Sequence, residues 1–251
     1  MTEKLAINTV HEGDCLELMK QIPDGSVDMI LCDLPYGTTA CKWDSIIPFE
    51  PLWEQYERVI KDNGAIVLTA AQPFTSALVM SNPGIFKYTW TWDKKQPTNH
   101  LNAKRQPLRR SEDICVFYKM QSTYNPQMEK RDVPRIEKRS GRVFEGDGEQ
   151  VYGTFERSYG KFTHRYPTNI IEVSNANKRD IVHPTQKPVA LFEYLIRTYT
   201  NEGEIVLDNC IGSGTTAIAA INTGRNFIGI EQESEYVELA RKRIADAYSA
   251  I

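Results

Sequence analysis

One stretch of the chain combines side chains suited to chemistry on an amine, the segment "VDMILCDLPYG". An apolar run typical of a buried strand ends there, and Asp33, Leu34, Pro35 and Tyr36 follow at once. Ligands of open α/β sheets bind beyond the carboxyl ends of the strands, so this tetrad lies where chemistry is expected. A carboxylate and a backbone carbonyl can accept both N–H bonds of an exocyclic amine, while proline fixes the turn and tyrosine offers a stacking face. The tetrad predicts an amine-methylating site, and an ordinary strand-to-turn Asp-x-Pro with a packed tyrosine is the structural alternative.

A second stretch, "VLDNCIGSGTT", is typical of a nucleotide-binding strand–loop–helix turn. Its strand ends at Asp208, its loop is Gly212–Ser213–Gly214, and its helix begins at Thr215–Thr216. The next apolar strand ends at Glu231, 19 residues after the first loop glycine, which suits an acid that binds ribose hydroxyls. The loop lacks the third glycine of dinucleotide-binding folds. This favours S-adenosylmethionine, a nucleoside with a small zwitterionic tail, over NAD.

These two turns require a sheet that spans most of the chain. The glycine turn lies near the C-terminus, so the third strand of its nucleotide-binding half is predicted from the N-terminal segment "LAINTVHEGD". Asp14 ends that segment, where it could accept a hydrogen bond from an adenine amino group or act as the N-cap of the following helix. The alternation of apolar runs with helical patterns predicts an α/β fold, a circularly permuted Rossmann-like sheet with helices on both faces. The predicted strands are Ala6–Val10, Val27–Cys32, Ala65–Thr69, Ile85–Trp92, Asp113–Tyr118, Ile205–Asp208 and Asn226–Glu231, and the predicted helices are Cys15–Gln21, Glu50–Ile60, Pro73–Ser81, Pro188–Tyr199, Thr215–Asn222 and Glu235–Ala247.

The middle of the chain differs from the rest in charge and in pattern. Residues 94–142 carry 13 Lys/Arg against 5 Asp/Glu, a net charge of +8, whereas the remainder has a net charge of −11. Between about 120 and 180 the alternation fails, which predicts an insertion. The basic segment indicates either a polyanion-binding face or a solvated loop region. The candidate phosphate-binding residues are Lys104, Arg105, Arg109 and Arg110.

Composition excludes several classes of protein. No apolar run approaches the roughly 18 residues of a membrane span, and the N-terminus lacks the apolar region of a signal peptide. The five cysteines form no CxxC pair, so the sequence predicts neither a disulfide framework nor a metal site. We therefore expect a cytoplasmic protein without a membrane partner.

Taken together, the motifs resemble those of the beta class of DNA amino-methyltransferases. "GDCLELMKQIPDGSVDMILCDLPYG" is similar to the N-terminal block of that class, and "SEDICVFYK" to its later strand motif. "RYPTNIIEVSN" followed by "HPTQKP" resembles the segment after its target-recognition region. "LDNCIGSGTT" and "FIGIEQESEYVELARKRI" resemble its closing cofactor half. The resemblance covers most of the chain.

The resemblance implies that three segments of the chain have different roles. Residues 1–119 would form the catalytic part of the methyltransferase domain, 120–180 a target-recognition insertion and 181–251 the cofactor-binding part. Thr185 and Lys187 would hold the methionine end of the cofactor. The sequence departs from the class at Asp208–Asn209–Cys210, where Asp-Pro-Phe is common, and at Leu34, where the tetrad usually has proline. The expected cofactor-binding residues are Asp14, Cys15, Asp33, Thr185, Lys187, Asp208, Asn209, Gly212, Ser213, Gly214, Thr215, Thr216 and Glu231, and the expected catalytic residues are Asp33, Leu34, Pro35 and Tyr36.

The expected activity is methyl transfer from S-adenosylmethionine to the N6 amine of an adenine flipped out of DNA, within a restriction–modification system. A tetrad that begins with Asp resembles adenine-N6 enzymes more than cytosine-N4 enzymes, but the cytosine-N4 activity stays open on the same scaffold. Methylation of RNA or of a protein amine, and a catalytically silent DNA-binding module, are further alternatives. Dimers are common in the resembled class, so a homodimer and a cognate restriction endonuclease are candidate partners beside DNA.

Overall fold

The computed structural model describes residues 4–37, 45–137, 160–175 and 186–249. Contacts divide the chain into two compact units, one formed by Met1–Asn125 with Asn169–Ile251 and the other by Pro126–Thr168. Most of the described chain therefore belongs to the first unit, which contains all of the described residues predicted to bind the cofactor or to act in catalysis.

An eight-stranded mixed sheet is the core of the described part of the first unit, in the spatial order β1-β10-β9-β2-β3-β5-β4-β8. The first five strands in this order run parallel, and β5 is antiparallel to both of its neighbours. The predicted α/β class is confirmed. The strands are β1 (Thr9–Glu12), β2 (Val27–Cys32), β3 (Ile60–Ala70), β4 (Phe86–Thr98), β5 (Arg109–Phe117), β8 (Ile170–Glu172), β9 (Ile205–Asp208) and β10 (Asn226–Glu231).

The predicted circular permutation is confirmed by the pairing of β1 with β10. These strands run parallel, and Glu12 at the end of β1 lies opposite Glu231 at the end of β10. The side chains of Asn8 and Asn226 join the same two strands by a 2.9 Å hydrogen bond. The N-terminal strand thus lies at the edge of the sheet, and both ends of the chain build one half of it.

Helices cover both faces of the sheet, as predicted, because its central strands are apolar on both sides. Met29 and Leu31 of β2 pack in one buried cluster with α4, α5 and α6. Val27 and Ile30 pack in a second cluster with α1, α2 and α3. The helices are α1 (Cys15–Met19), α2 (Phe49–Val59), α3 (Phe74–Ser81), α4 (Val189–Tyr199), α5 (Thr215–Asn222) and α6 (Ser234–Ser249). None of the helices in the described ranges combines the length and the apolar character needed to cross a bilayer.

The bounds of several elements differ from the predicted ones. β1 is Thr9–Glu12 where Ala6–Val10 is predicted, and β3 is Ile60–Ala70 where Ala65–Thr69 is predicted. The hairpin of β4 and β5 extends beyond the predicted ends to Thr98 and Arg109, because backbone pairing continues after the apolar pattern has stopped. Ile170–Glu172, which falls within the predicted insertion, forms β8 and pairs in parallel with β4. A strand of three residues is too short to give a periodic signal in the sequence.

The second unit, described for residues 126–137 and 160–168, contains an antiparallel pair of strands. These are β6 (Glu129–Glu137) and β7 (Gly160–Arg165). An ion pair joins the two strands, in which Arg165 donates to Glu129 at 2.7 Å. Val133 is 79% exposed, so in the described part of this unit an apolar side chain of β6 faces outward.

Candidate active site

A cavity of about 630 Å³ lies at the carboxyl ends of β1, β2, β9 and β10. Its size falls in the range of about 300–1,000 Å³ typical of small-molecule sites. Gly214 is the one described member of the two predicted sets that does not line it. Thr185 lies outside the described residues. The predicted residues that line the cavity are Asp14, Cys15, Asp33, Leu34, Pro35, Tyr36, Lys187, Asp208, Asn209, Gly212, Ser213, Thr215, Thr216 and Glu231.

The glycine loop depends on glycine at its last position. Gly214 has a φ of 86°, and an added Cβ would come within 3.1 Å of the Cβ of Ala240 on α6. A side chain there would therefore strain the backbone and collide with the neighbouring helix. Gly214 therefore supports the loop where it packs on α6, and it does not line the cavity.

Glu231 is held in place by the backbone of the same loop region. One carboxylate oxygen accepts a 2.8 Å hydrogen bond from the N–H of Gly212, and the other accepts from the N–H groups of Gln232 and Glu233 at 2.9 and 3.0 Å. A carboxylate has about four acceptor positions, so three such bonds leave capacity for one further donor. The predicted ribose-binding acid thus lies in the cavity with its orientation fixed.

Asp14 caps the helix that follows β1. One oxygen of its carboxylate accepts hydrogen bonds from the N–H groups of Leu16 and Glu17, at 2.8 and 3.1 Å. The predicted N-cap role is therefore confirmed. The residue also lines the cavity, so a second role in ligand binding stays a prediction.

Asp208 is a buried carboxylate at the end of β9. It accepts a 3.0 Å hydrogen bond from the N–H of Cys210 and a hydrogen bond from the Thr216 hydroxyl. Burial outweighs these bonds and raises the pKa of Asp208 from 3.8 to about 7. The next residue, Asn209, accepts a 2.5 Å hydrogen bond from the hydroxyl of the buried Tyr56.

Three thiols meet beside this turn, although their spacing in the sequence gives no hint of it. Cys15 and Cys210 both line the cavity, and Cys32 lies buried behind them. A hydrogen bond between the first two lowers the pKa of the Cys15 thiol and raises that of Cys210 well above its usual range. Burial raises the pKa of Cys32 to about 12, so this thiol stays protonated. In the described ranges, no group of three or more His, Cys, Asp or Glu side chains has an arrangement that could hold a metal ion.

The tetrad lines the part of the cavity that adjoins the end of β2. Asp33 Oδ1 accepts a 2.8 Å hydrogen bond from the Tyr36 hydroxyl and another from the hydroxyl of Thr69 on β3. The Leu34 side chain is buried, and its packing fixes the backbone that follows Asp33. The Tyr36 ring stacks on Phe74 with centroids 5.1 Å apart. Burial raises the pKa of Tyr36 well above its usual range, so the hydroxyl remains a neutral donor.

Lys187 contacts the tetrad directly. Its ammonium donates to Asp33 Oδ2 at 2.6 Å and lies 5.6 Å from the centroid of the Tyr36 ring. Burial alone would lower the pKa of Lys187, but the charges of Asp33 and Glu112 outweigh it and the pKa is raised. The predicted role of this lysine at the methionine end of a cofactor stays a prediction, and the contact that the structure adds is the one with Asp33.

Glu112 and Lys94 extend this contact into a chain of ion pairs. Neither residue is among those predicted from the sequence. Glu112 Oε2 lies 3.6 Å from Lys187 Nζ, and Glu112 Oε1 accepts a 3.0 Å hydrogen bond from Lys94. Both residues line the cavity. Glu112 lies in the quoted motif "SEDICVFYK", so that resemblance was the signal that could have found it.

The predicted phosphate-binding residues fall into two groups. Lys104 and Arg105 are exposed in the connection between β4 and β5. Arg109, at the start of β5, is exposed and also lines the cavity. Arg110 is paired within the protein, because its guanidinium donates two hydrogen bonds to Asp93, at 2.8 and 2.7 Å.

Known proteins are similar to this chain in sequence and in fold. The profile of the DNA methylase family matches residues 27–242. The type II methyltransferase M1.MboII of Moraxella bovis is 30% identical over 254 residues, covering 94% of this chain and 96% of that protein. The crystal structure of an M1.HpyAVI–SAM complex superposes with a TM-score of 0.62 at 25% identity, covering 94% of this chain and 98% of that one.

A third comparison concerns the fold alone. The PvuII DNA methyltransferase, described as cytosine-N4-specific, has a TM-score of 0.67 at 16% identity and covers 98% of this chain and 93% of its own. A profile match over most of the chain, together with a full-length relative at 30% identity, establishes the family. The chain belongs to the N6/N4 DNA methylase family.

Proposed function

We propose that this protein transfers a methyl group from S-adenosylmethionine to the N6 amine of adenine in DNA. One observation carries the proposal. The Asp33 carboxylate lies in the same cavity as the glycine loop and Glu231, so an amine acceptor and a nucleoside donor can bind side by side. Membership of the DNA methylase family supports the reaction class, and the M1.HpyAVI–SAM complex supports the cofactor.

The cofactor end of the cavity fits S-adenosylmethionine. Glu231 has acceptor capacity for a ribose hydroxyl, and Asp14 lies at the end of the adjacent strand, where an adenine amino group could donate to it. Gly212 and Ser213 line the part of the cavity that a zwitterionic tail would reach. The Asn209–Cys210 step replaces the Pro-Phe expected of the class, so this pocket has a thiol where an aromatic wall is common.

The catalytic end fits an exocyclic amine. Asp33 and the carbonyl of Leu34 would accept the two N–H bonds of the amine, which localises the nitrogen lone pair. S-adenosylmethionine supplies the methyl group when bound, and the nitrogen lone pair forms the new N–C bond while the C–S pair stays with sulfur. Asp33 then accepts the proton that the methylated nitrogen releases. Tyr36 orients this carboxylate through its hydroxyl and offers the part of its ring not covered by Phe74 to the base.

DNA would contact the basic middle of the chain. A base inside a duplex has to be flipped out before its amine can reach Asp33, and this requires a grip on the phosphates. Lys104 and Arg105 are exposed cations in the connection between β4 and β5, and Arg109 at the start of β5 is exposed and lines the cavity. We propose that they bind phosphates and that the unit Pro126–Thr168 reads the target sequence. A homodimer and a cognate restriction endonuclease are proposed as further partners.

Methyl transfer from labelled S-adenosylmethionine to unmethylated genomic DNA tests the proposal. After digestion to nucleosides, we expect label in N6-methyladenosine and none with the Asp33→Ala variant. Label in N4-methylcytosine would overturn the choice of base and support the second candidate, which the same carboxylate and carbonyl could serve. Cofactor binding without label in DNA would overturn DNA as the acceptor.

A further inference from the structure

Four charged side chains form a continuous row along the catalytic end of the cavity. Lys94 pairs with Glu112 at 3.0 Å, Glu112 with Lys187 at 3.6 Å, and Lys187 with Asp33 at 2.6 Å. The two lysines are only 5% and 9% exposed. Charges removed from water are costly unless they are paired, so each member of the row depends on its neighbours.

Among these four side chains, Glu112 is the one with an unused hydrogen-bond acceptor. Its Oε2 is buried and accepts no hydrogen bond from any of the described residues. The nearest donor is Lys187 Nζ, which lies at ion-pair distance but beyond hydrogen-bonding distance. An ammonium has three donor hydrogens, so a small movement of Lys187 would give it a hydrogen bond to Glu112.

We propose that Glu112 is a positioning residue for the transfer step, because it offers Lys187 a second carboxylate when Asp33 binds the amine. This inference rests on the proposed function. In the structure Lys187 and the Tyr36 and Thr69 hydroxyls all donate to Asp33. An incoming amine competes with these donors, and a methylated nitrogen carries positive charge that the Lys187 ammonium repels. Moving the ammonium towards Glu112 relieves both effects.

The position of Glu112 explains why the movement is inexpensive. Lys187 would exchange one carboxylate for another within the same buried row, so its ammonium always has a carboxylate beside it. Lys94 keeps Glu112 Oε1 occupied, which leaves Oε2 directed at Lys187. The role is one of positioning, since Glu112 acts through Lys187 and not on the reacting atoms.

Glu112→Gln tests the role with a single-turnover measurement at saturating S-adenosylmethionine. We expect the rate of DNA methylation to fall about tenfold while the cofactor Kd stays within about twofold. Glu193→Gln is the matched control, because Glu193 pairs with Arg197 and its side chain is 20% exposed, the same as that of Glu112. A Glu112→Gln rate equal to that of the control, or a loss confined to cofactor affinity, would overturn the proposal.

A double-mutant cycle shows whether Glu112 acts through Lys187. In a Lys187→Met background, Glu112→Gln should change the rate by less than about twofold, because the ammonium that needs the second carboxylate is gone. An undiminished tenfold loss in that background would contradict the inference. Failure of wild-type protein to methylate DNA would instead refute the proposed function and the inference with it, so the two failures are distinguishable.

The pH profile gives a readout that a purely structural role would not change. The groups that face Lys187 are Asp33 and Tyr36 after β2, Glu112 on β5 and, through Glu112, Lys94 on β4. Without the Glu112 charge the ammonium loses its proton more easily, and a neutral amine no longer competes with the substrate for Asp33, so the rate deficit of Glu112→Gln should shrink as the pH rises. A deficit that stays constant with pH would count against the proposal.

Lys94→Met/Glu112→Gln covers the case in which Glu112→Gln alone does not fold. This double variant removes one buried cation together with one buried anion, so the charge of the row stays balanced. We expect it to transfer the methyl group about tenfold more slowly than wild type, because Lys187 still lacks a second carboxylate. A wild-type rate would show that Glu112 only neutralises Lys94, and would overturn the inference.

Discussion

The two ends of the cavity hold their carboxylates in different ways. At the cofactor end, Asp14, Asp208 and Glu231 accept hydrogen bonds from N–H groups of the turns that they begin or join. At the catalytic end, Asp33 and Glu112 pair with lysines that come from distant parts of the chain. One cavity thus combines carboxylates fixed by backbone N–H groups with carboxylates paired with lysine side chains.

Backbone hydrogen bonds fix the shape of the cofactor end, whereas ion pairs set the distribution of charge at the catalytic end. A backbone N–H cannot leave its carboxylate without unfolding the turn, so the cofactor end keeps its geometry whatever binds. A lysine can exchange partners within hydrogen-bonding reach, so the catalytic end can redistribute charge during a reaction that creates and then removes a cation. We expect substitutions at the cofactor end to change affinity or stability, and substitutions at the catalytic end to change rate.

Asp33→Asn should give the largest effect, and it tests most directly whether the catalytic end controls rate and not cofactor affinity. The amide cannot accept a proton from the methylated nitrogen and can no longer pair with Lys187. We expect the single-turnover rate to fall by about 10³, with the cofactor Kd within about threefold. Titration calorimetry with S-adenosylmethionine and a quenched transfer assay measure the two quantities. A loss of affinity as large as the loss of rate would place Asp33 at the cofactor end.

Glu231→Gln tests the opposite end. The carboxamide has one acceptor oxygen in place of two, so it cannot satisfy the N–H groups of Gly212, Gln232 and Glu233 and also bind a ribose hydroxyl. We expect the cofactor Kd to rise about 100-fold while the single-turnover rate at saturation changes little. Glu238→Gln on the exposed face of α6 is the control. A variant with normal affinity but slow transfer would refute the separation of roles.

Asp208→Asn tests the stability of the cofactor end through its pH dependence. Burial raises the pKa of Asp208 from 3.8 to about 7, so the folded state holds this proton more tightly than the unfolded state does. The resulting stability is fully present below about pH 4 and is lost as the pH rises through about 7. Asparagine does not titrate, so the unfolding free energy of wild type relative to the variant should fall on the order of a few kcal/mol across this range. Calorimetry measures the unfolding free energy of both proteins. A difference between wild type and Asp208→Asn that stays constant from about pH 5 to 8 would contradict this prediction.

Prediction from sequence succeeded for the buried elements that lead into the cavity. Val27–Cys32, Ile205–Asp208, Asn226–Glu231 and Thr215–Asn222 are elements with the predicted bounds, since buried parallel strands and their short turns are local in sequence. The row of ion pairs was missed because its members lie far apart along the chain. No spacing rule joins Lys94 on β4, Glu112 on β5 and Lys187 before α4, and only the antiparallel hairpin brings the first two together.

The smallest predicted effects concern DNA affinity. They compare two basic residues, Arg110, which is paired with Asp93, and Arg105, which is exposed. Arg105→Ala should weaken DNA binding a few-fold and reduce the slope of log K against log salt by about one, because an exposed phosphate contact is lost. Arg110→Ala should change both less, since the Arg110 guanidinium is already bound to Asp93. Asp93→Asn would release Arg110 and should tighten binding by about twofold. Fluorescence anisotropy over a salt series measures all three, and equal losses for Arg105→Ala and Arg110→Ala would show that pairing with Asp93 does not withhold Arg110 from DNA.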